Sequence, residues 1–106
     1  GPLGKTLRCG AIALDTSTRT CTVNDSEIPL SPRGYELLLC LMRNKGQVLR
    51  REQLLDKVWG IDFEGGDRAV DGRIKVLRAA LGPAGKQIRT VFKVGYKLEG
   101  EQHGAD

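Results

Sequence analysis

The side chains with most chemical potential in this chain are cations, and they are unevenly spread. Between Gly66 and Leu98 stand Arg68, Arg73, Lys75, Arg78, Lys86, Arg89, Lys93 and Lys97 against only Asp67 and Asp71, a local net charge of +6. The whole chain of 106 residues carries only +4, because residues 1–65 are nearly balanced and the tail from Glu99 is acidic. Charge concentrated in one third of a small domain is suited to holding a polyanion. Bond-making sets are missing by comparison. The single His103 lies in a polar tail and gives a zinc site or a triad little to build on. No Ser/His/Asp or Cys/His pair and no paired-carboxylate cleft is evident, and Gly65-Gly66 lacks the strand and spacing of a nucleotide fingerprint. Cys9, Cys21 and Cys40 are odd in number, contain no C-x-x-C and fall in apolar segments. They read as small buried hydrophobes in a reducing, cytoplasmic setting. The pattern implies a binding protein, with no enzyme activity, metal or cofactor expected.

Elements must position these cations. Leu7 to Leu30 reads as three or four short antiparallel strands: Ile12, Leu14, Cys21 and Val23 alternate with polar or small residues. Turns are signalled at Asp15 to Thr18 and at Asn24-Asp25. Ser31-Pro32 then supplies an N-cap and a first-position proline. Tyr35, Leu38, Leu39 and Met42 follow at the spacing of one buried helical face, and Gly46 ends that helix. A second, shorter helix is predicted from Arg51 to Trp59, burying Leu54, Leu55 and Val58 and closed by Gly60. A glycine-rich, acidic loop from Ile61 to Gly66 leads to a third helix, Asp67 to Leu81, stopped by Gly82-Pro83. Two strands close the fold, Ile88 to Phe92 and Tyr96 to Leu98, with Lys93-Val94-Gly95 at the bend. The predicted class is α+β: an N-terminal antiparallel sheet, three helices forming a helix-turn-helix variant, and a C-terminal β-hairpin wing.

Projection of the third helix at 100° per residue separates its faces. Val70, Ile74, Leu77 and Leu81 fall together and must face the core. Arg68, Gly72, Lys75 and Ala79 lie opposite, with Val76 beside them and Arg73 and Arg78 on the two edges. A major groove admits such a helix, its outer strip reaching base edges and its flanking cations meeting phosphates. Gly72 inside a helix costs about 1 kcal/mol relative to Ala. It is either merely tolerated or lets the helix backbone approach a duplex closely. Val76 suits a thymine methyl. Arg89, Lys93 and Lys97 on a narrow hairpin suit a backbone or a minor groove.

These residues also resemble a known family. Leu30-Ser31-Pro32, Tyr35-Glu36-Leu37-Leu38, Arg51-Glu52-Gln53-Leu54-Leu55 with Val58-Trp59-Gly60, Asp67-Arg68-Ala69-Val70-Asp71 with Ile74 and Leu77-Arg78, and Thr90-Val91 with Gly95-Tyr96 recur in the order and spacing of the OmpR/PhoB-type effector domain. The resemblance covers Leu7 to Leu98. It implies a third helix in the major groove and a wing on the minor groove or backbone of double-stranded DNA. It also implies that the chain is the output half of a two-component response regulator, with a phosphorylated receiver domain N-terminal to it. It further implies paired protomers on direct repeats, and with little apolar surface to spare the lone domain is expected to be a monomer that pairs mainly on DNA. The family's DNA contacts fall here on Arg68, Arg73, Lys75, Val76, Arg78 and Thr90; Gly72 and Lys93 join them from the reading above. The loop between the second and third helices, with Ile61, Asp62, Phe63 and Glu64, is the expected RNA polymerase contact.

Several positions depart from the family pattern. Gly34 replaces the Glu of the first capping box, Arg50 stands where Ser or Thr usually caps the second helix, and Val76 stands where an Arg often reads bases. In the wing, Phe92 replaces a frequent Arg and Lys93 the usual Gly. These changes leave the fold and DNA binding standing and bear on the sequence read. A regulator that is not phosphorylated, or a winged helix turned to protein contact, would carry many of the same features. Gly1-Pro2-Leu3-Gly4 reads as the scar of a tag-removing protease, residues 5–99 as the domain and 100–106 as a polar tail. No stretch approaches the roughly 18 consecutive apolar residues of a membrane span.

Overall fold

In a computed structural model, residues 6–100 are described, so the proposed scar, Lys5, His103 and the end of the tail lie outside the described residues. Four strands, β1 (Thr6–Cys9), β2 (Ile12–Asp15), β3 (Thr20–Val23) and β4 (Ser26–Ile28), form an antiparallel meander in chain order. Each reversal has a local cause. Gly10 takes φ +59° at the first centre of a two-residue turn, and Asn24 and Asp25 both take positive φ (51° and 70°). These are the demands of type II′ and I′ hairpin turns. Between β2 and β3 the Asp15 carboxylate accepts from the Ser17 N–H (2.9 Å) and hydroxyl (2.6 Å), which lowers its pKa. Ile12, Leu14 and Cys21 are buried as the alternation predicts, whereas Val23 is half-buried at the far end of the register.

Helix α1 (Pro32–Arg43) starts where predicted, with the Ser31 hydroxyl accepting from the Gly34 N–H at 3.1 Å. It buries Leu37 and Leu41 in addition to Tyr35, Leu38, Leu39 and Met42. The single apolar stripe is too narrow a description, because α1 packs on β1, on the third helix and on the C-terminal hairpin together. The second helical segment is one run in the sequence but two in space. Helix α2 (Arg51–Leu54) passes directly into a π-helical turn, Leu55–Trp59, closed by Gly60 at φ +100°. Widening the turn rotates the apolar side chains off one face, so Leu54 is buried while Leu55 and Val58 are only half-buried. Arginine has no acceptor with which to cap a helix. Gln53 supplies half a capping box instead, its side-chain oxygen accepting the Arg50 N–H at 2.8 Å.

Helix α3 (Arg68–Leu81) buries Val70, Ile74, Leu77 and Leu81, the four predicted residues, and a 3-10 turn, Gly82–Gln87, follows it. Strands β6 (Ile88–Val91) and β7 (Gly95–Leu98) form the hairpin, joined on the outer side of β7 by a two-residue strand, β5 (Leu49–Arg50), that the sequence reading lacks. The hairpin also turns one residue earlier than predicted. Phe92 lies in the turn and Gly95 belongs to β7. A Cβ on Gly95 would fall 2.0 Å from the Leu49 carbonyl oxygen, so close strand passage, not turn geometry, requires glycine there. The positive φ of the turn falls on Lys93 (65°), at a steric cost of roughly 1–2 kcal/mol for a residue with a Cβ.

Gln87 joins the two ends of the fold. It is 6% exposed; its amide nitrogen donates to the carbonyls of Cys9 (2.8 Å) and Glu99 (2.9 Å), and its oxygen accepts from the Ala11 N–H (3.1 Å). Three backbone groups, that of Cys9 buried and the other two partly so, are thereby satisfied by one side chain. Cys9 and Cys21 are buried free thiols, and Cys40 is half-buried. Burial raises all three thiol pKa values, that of Cys21 to about 11, which keeps them protonated and unreactive at neutral pH.

Candidate nucleic-acid interface

The face of α3 turned from the core carries the strip that the helical projection assigns to it. Arg68, Gly72, Lys75, Val76 and Ala79 are exposed, Val76 at 55%. A Cβ built on Gly72 meets no atom within 4 Å, so no neighbour in the fold requires glycine at this position. Trp59, Arg68, Ala69, Gly72, Arg73 and Val76 line a shallow groove along this face. The strip therefore offers a smooth, small-residue track between cations.

Of the two edge arginines, Arg78 is the one held in place. Arg78 donates through Nε and Nη2 to the Ile88 carbonyl (3.1 and 2.6 Å) and through Nη2 to the Thr90 hydroxyl (2.8 Å). Its guanidinium also sits 5.7 Å from the centre of the Tyr96 ring. The sequence places Arg78 on an edge of the third helix and, by resemblance, both Arg78 and Thr90 among the DNA contacts. In space Arg78 is a strut from α3 to β6, and Thr90 is one of its acceptors. Arg73, half-buried, points toward the start of α1, 3.4 Å from the Ser31 hydroxyl.

A second strut escaped the sequence reading. The Asp71 carboxylate accepts from Arg51 Nε at 2.7 Å and from the Tyr96 hydroxyl at 2.6 Å, tying α3 to α2 and β7. Burial by itself would raise the Asp71 pKa. Hydrogen bonds from Tyr96 and Arg51, with the charges of Arg51 and Arg68, outweigh it and hold the carboxyl below its ordinary value. Arg51 is correspondingly raised, chiefly by its hydrogen bond to Asp71, and the Tyr96 hydroxyl is raised by burial and then by Asp71. The helical period could have found it in part, since Asp71 falls on the same edge of α3 as Arg78.

The wing differs from expectation in its charge. Glu99 pairs with both Arg89 (3.0 Å) and Lys97 (2.8 Å), so two of its three cations share one carboxylate, which offsets half of their charge. Lys93 makes no such pair among the described residues and lies at the turn, exposed. In the loop before α3, Ile61 is 82% exposed and Phe63 39%. The Phe63 ring rests 6.2 Å from that of Trp59, and Asp62 and Glu64 are exposed beside it. Among the described residues no group of side chains could hold a metal ion, and no helix is long and apolar enough to cross a membrane.

Comparison with known proteins agrees with this geometry. Residues 25–98 match the family described as transcriptional regulatory protein, C terminal. The sensory transduction protein RegX3 of Mycolicibacterium smegmatis is 40% identical over 97 residues, 89% of this chain and 42% of that protein. The phosphate regulon transcriptional regulatory protein PhoB of Rhizobium meliloti is 42% identical over 99 residues, 92% of this chain and 44% of that protein. The chain thus spans less than half the length of these curated relatives. Among solved structures, the Klebsiella pneumoniae RstA DNA-binding domain in complex with the RstA box superposes with a TM-score of 0.79 at 31% identity, covering 90% of this chain and 97% of that one. The response regulator DrrB of Thermotoga maritima, an OmpR/PhoB homologue, gives 0.81 at 31% identity, covering 90% of this chain and 44% of that one.

Proposed function

Because the chain belongs to the OmpR/PhoB-type family of C-terminal domains of transcriptional regulatory proteins, we propose that it binds double-stranded DNA as the output half of a two-component response regulator. The observation that carries this reading is the outer strip of α3, where Gly72 opens onto empty space between Arg68, Lys75 and Val76. A helix backbone can approach base edges closely along such a strip while its cations meet phosphates. Val76 and Arg73 carry the base readout, and Arg68, Lys75 and Lys93 the phosphate contacts. Arg78 and Thr90 hold the wing against α3 and so position both.

The rest of the regulator follows from the same reading. A receiver domain, phosphorylated on an aspartate, lies N-terminal to this chain in the cytoplasmic protein. The domain is a monomer alone and pairs on a direct repeat. Ile61 and Phe63, with Asp62 and Glu64, form the surface offered to RNA polymerase. The domain has no catalytic role.

Fluorescence anisotropy on a site selected from random sequence, and on a scrambled duplex, tests the assignment. Lys75→Ala should weaken binding to both duplexes alike, and Val76→Ala should relax preference at one base position with little effect on the scrambled duplex. Binding that is weak and insensitive to salt would overturn the nucleic-acid reading.

A further inference from the structure

The wing tip is unusual in what it leaves uncovered. Phe92 is 80% exposed and Val94 41%, both within the three-residue turn that joins β6 to β7. The turn itself is fixed. The Val94 N–H donates to the Val91 carbonyl at 2.9 Å, and Gly95 is pressed against Leu49 of β5. The Lys93 ammonium lies 5.5 Å from the centre of the Phe92 ring. At the base of the hairpin, Arg89 and Lys97 are committed to Glu99. A narrow finger, its base charge halved by Glu99, therefore ends in one aromatic ring and one ammonium.

We propose that Phe92 is the wing's DNA contact, an apolar wedge pressed against a base step in the minor groove, with Lys93 on the neighbouring phosphate. This rests on the DNA-binding reading above. Large apolar side chains enter the minor groove by partly unstacking a step, and the cost is least at flexible pyrimidine–purine steps. A cationic wing tip, by contrast, favours the negative potential of a narrow A·T-rich groove. The ring thus shifts the wing's preference from groove width to step flexibility. The chain partner of the ring in the free protein, Lys93, is already beside it and needs only to swing from ring face to phosphate.

The test uses this chain, a selected duplex and the variants Phe92→Ala, Phe92→Leu and Phe92→Arg. The ring is exposed, so thermal melting should be the same for all. Phe92→Ala should weaken binding by about tenfold, in line with loss of one aromatic–base contact, at unchanged salt slope. Phe92→Leu should retain most of the affinity, and Phe92→Arg should steepen the log–log salt slope by about 0.9. A 2-aminopurine at the step facing the wing should brighten when wild type binds and stay dark with Phe92→Ala. Wild-type binding unaffected by Phe92→Ala, with no fluorescence rise, would overturn the wedge and leave DNA binding intact. A slope that falls by about one in Phe92→Ala would also overturn it, since the ring would then serve only to hold Lys93. Wild type that binds no duplex would bring down both readings.

Discussion

A methyl group added at Gly72 would project into open space on the outer strip of α3. Fold and function then pull in opposite directions at this residue. Replacing glycine by alanine in a helix interior stabilises by about 1 kcal/mol, which for a domain of this size raises Tm by roughly 4–8 °C. The same methyl stands between the helix backbone and any duplex seated in the groove lined by Arg68, Gly72 and Val76. Gly72→Ala is therefore expected to melt higher and to bind DNA more weakly, a pairing that separates it from ordinary destabilising variants. Calorimetry and anisotropy on one preparation measure both. A variant that gains stability at full affinity would show that the glycine is only tolerated.

At the scale of elements, the orientation of α3 rests on side chains from other segments. Arg51, Asp71 and Tyr96 come from α2, α3 and β7, and Arg78 reaches across to β6. Asp71→Asn should cost about 1.5–3 kcal/mol, the range for hydrogen bonds to a charged group. The lower end is expected, since the carboxylate is 40% exposed and its ion pair partly screened. The pH dependence has a definite sign. A carboxyl held below its ordinary value of 3.8 gives its full stability above that pH and loses it as pH falls through the lowered native value. Urea melts should therefore show a gap between wild type and Asp71→Asn at pH 7 that narrows below about pH 3.8. A gap that persists unchanged in acid would contradict the ion-pair account.

The same network shows what a sequence can disclose. The buried face of α3 was legible because 14 residues span several turns of one period, enough for Val70, Ile74, Leu77 and Leu81 to declare themselves. Ser31-Pro32 was legible because a cap is a local device. Strand β5 was not, since two residues have no period, and neither was the π turn, whose apolar residues fit an α-helix equally well. Asp71 meets partners 20 and 25 positions away, a distance no local pattern spans. The pairing of Glu99 was within reach. Arg89 lies opposite Lys97 in the hairpin, so a carboxylate two residues beyond Lys97 falls on the same face and diagonal to Arg89. Counting cations without that register overstated the charge of the wing.

For the whole molecule, net charge matters less than how much of it is free to meet phosphate. Eight cations stand between Gly66 and Leu98, but Arg89 and Lys97 are paired with Glu99 and Arg78 is spent on Ile88 and Thr90. Lys86 lies in the 3-10 turn after α3 and away from the strip. Arg68, Arg73, Lys75 and Lys93 remain for the duplex. Each neutralised phosphate adds about −0.9 to the slope of log affinity against log salt. With Arg73 on the bases and the other three on phosphates, one domain on one half-site should therefore show a slope of roughly −2.7, well short of the roughly −7 that eight contacts would give. Arg89→Ala and Lys97→Ala should leave that slope unchanged, whereas Lys75→Ala and Lys93→Ala should each reduce it by about one. Titrations at four or more salt concentrations, on a duplex too short for two protomers, measure it directly. A slope near −7 in wild type, falling in Arg89→Ala, would mean that the Glu99 bridges open on DNA and that the wing engages the backbone through its base as well as its tip.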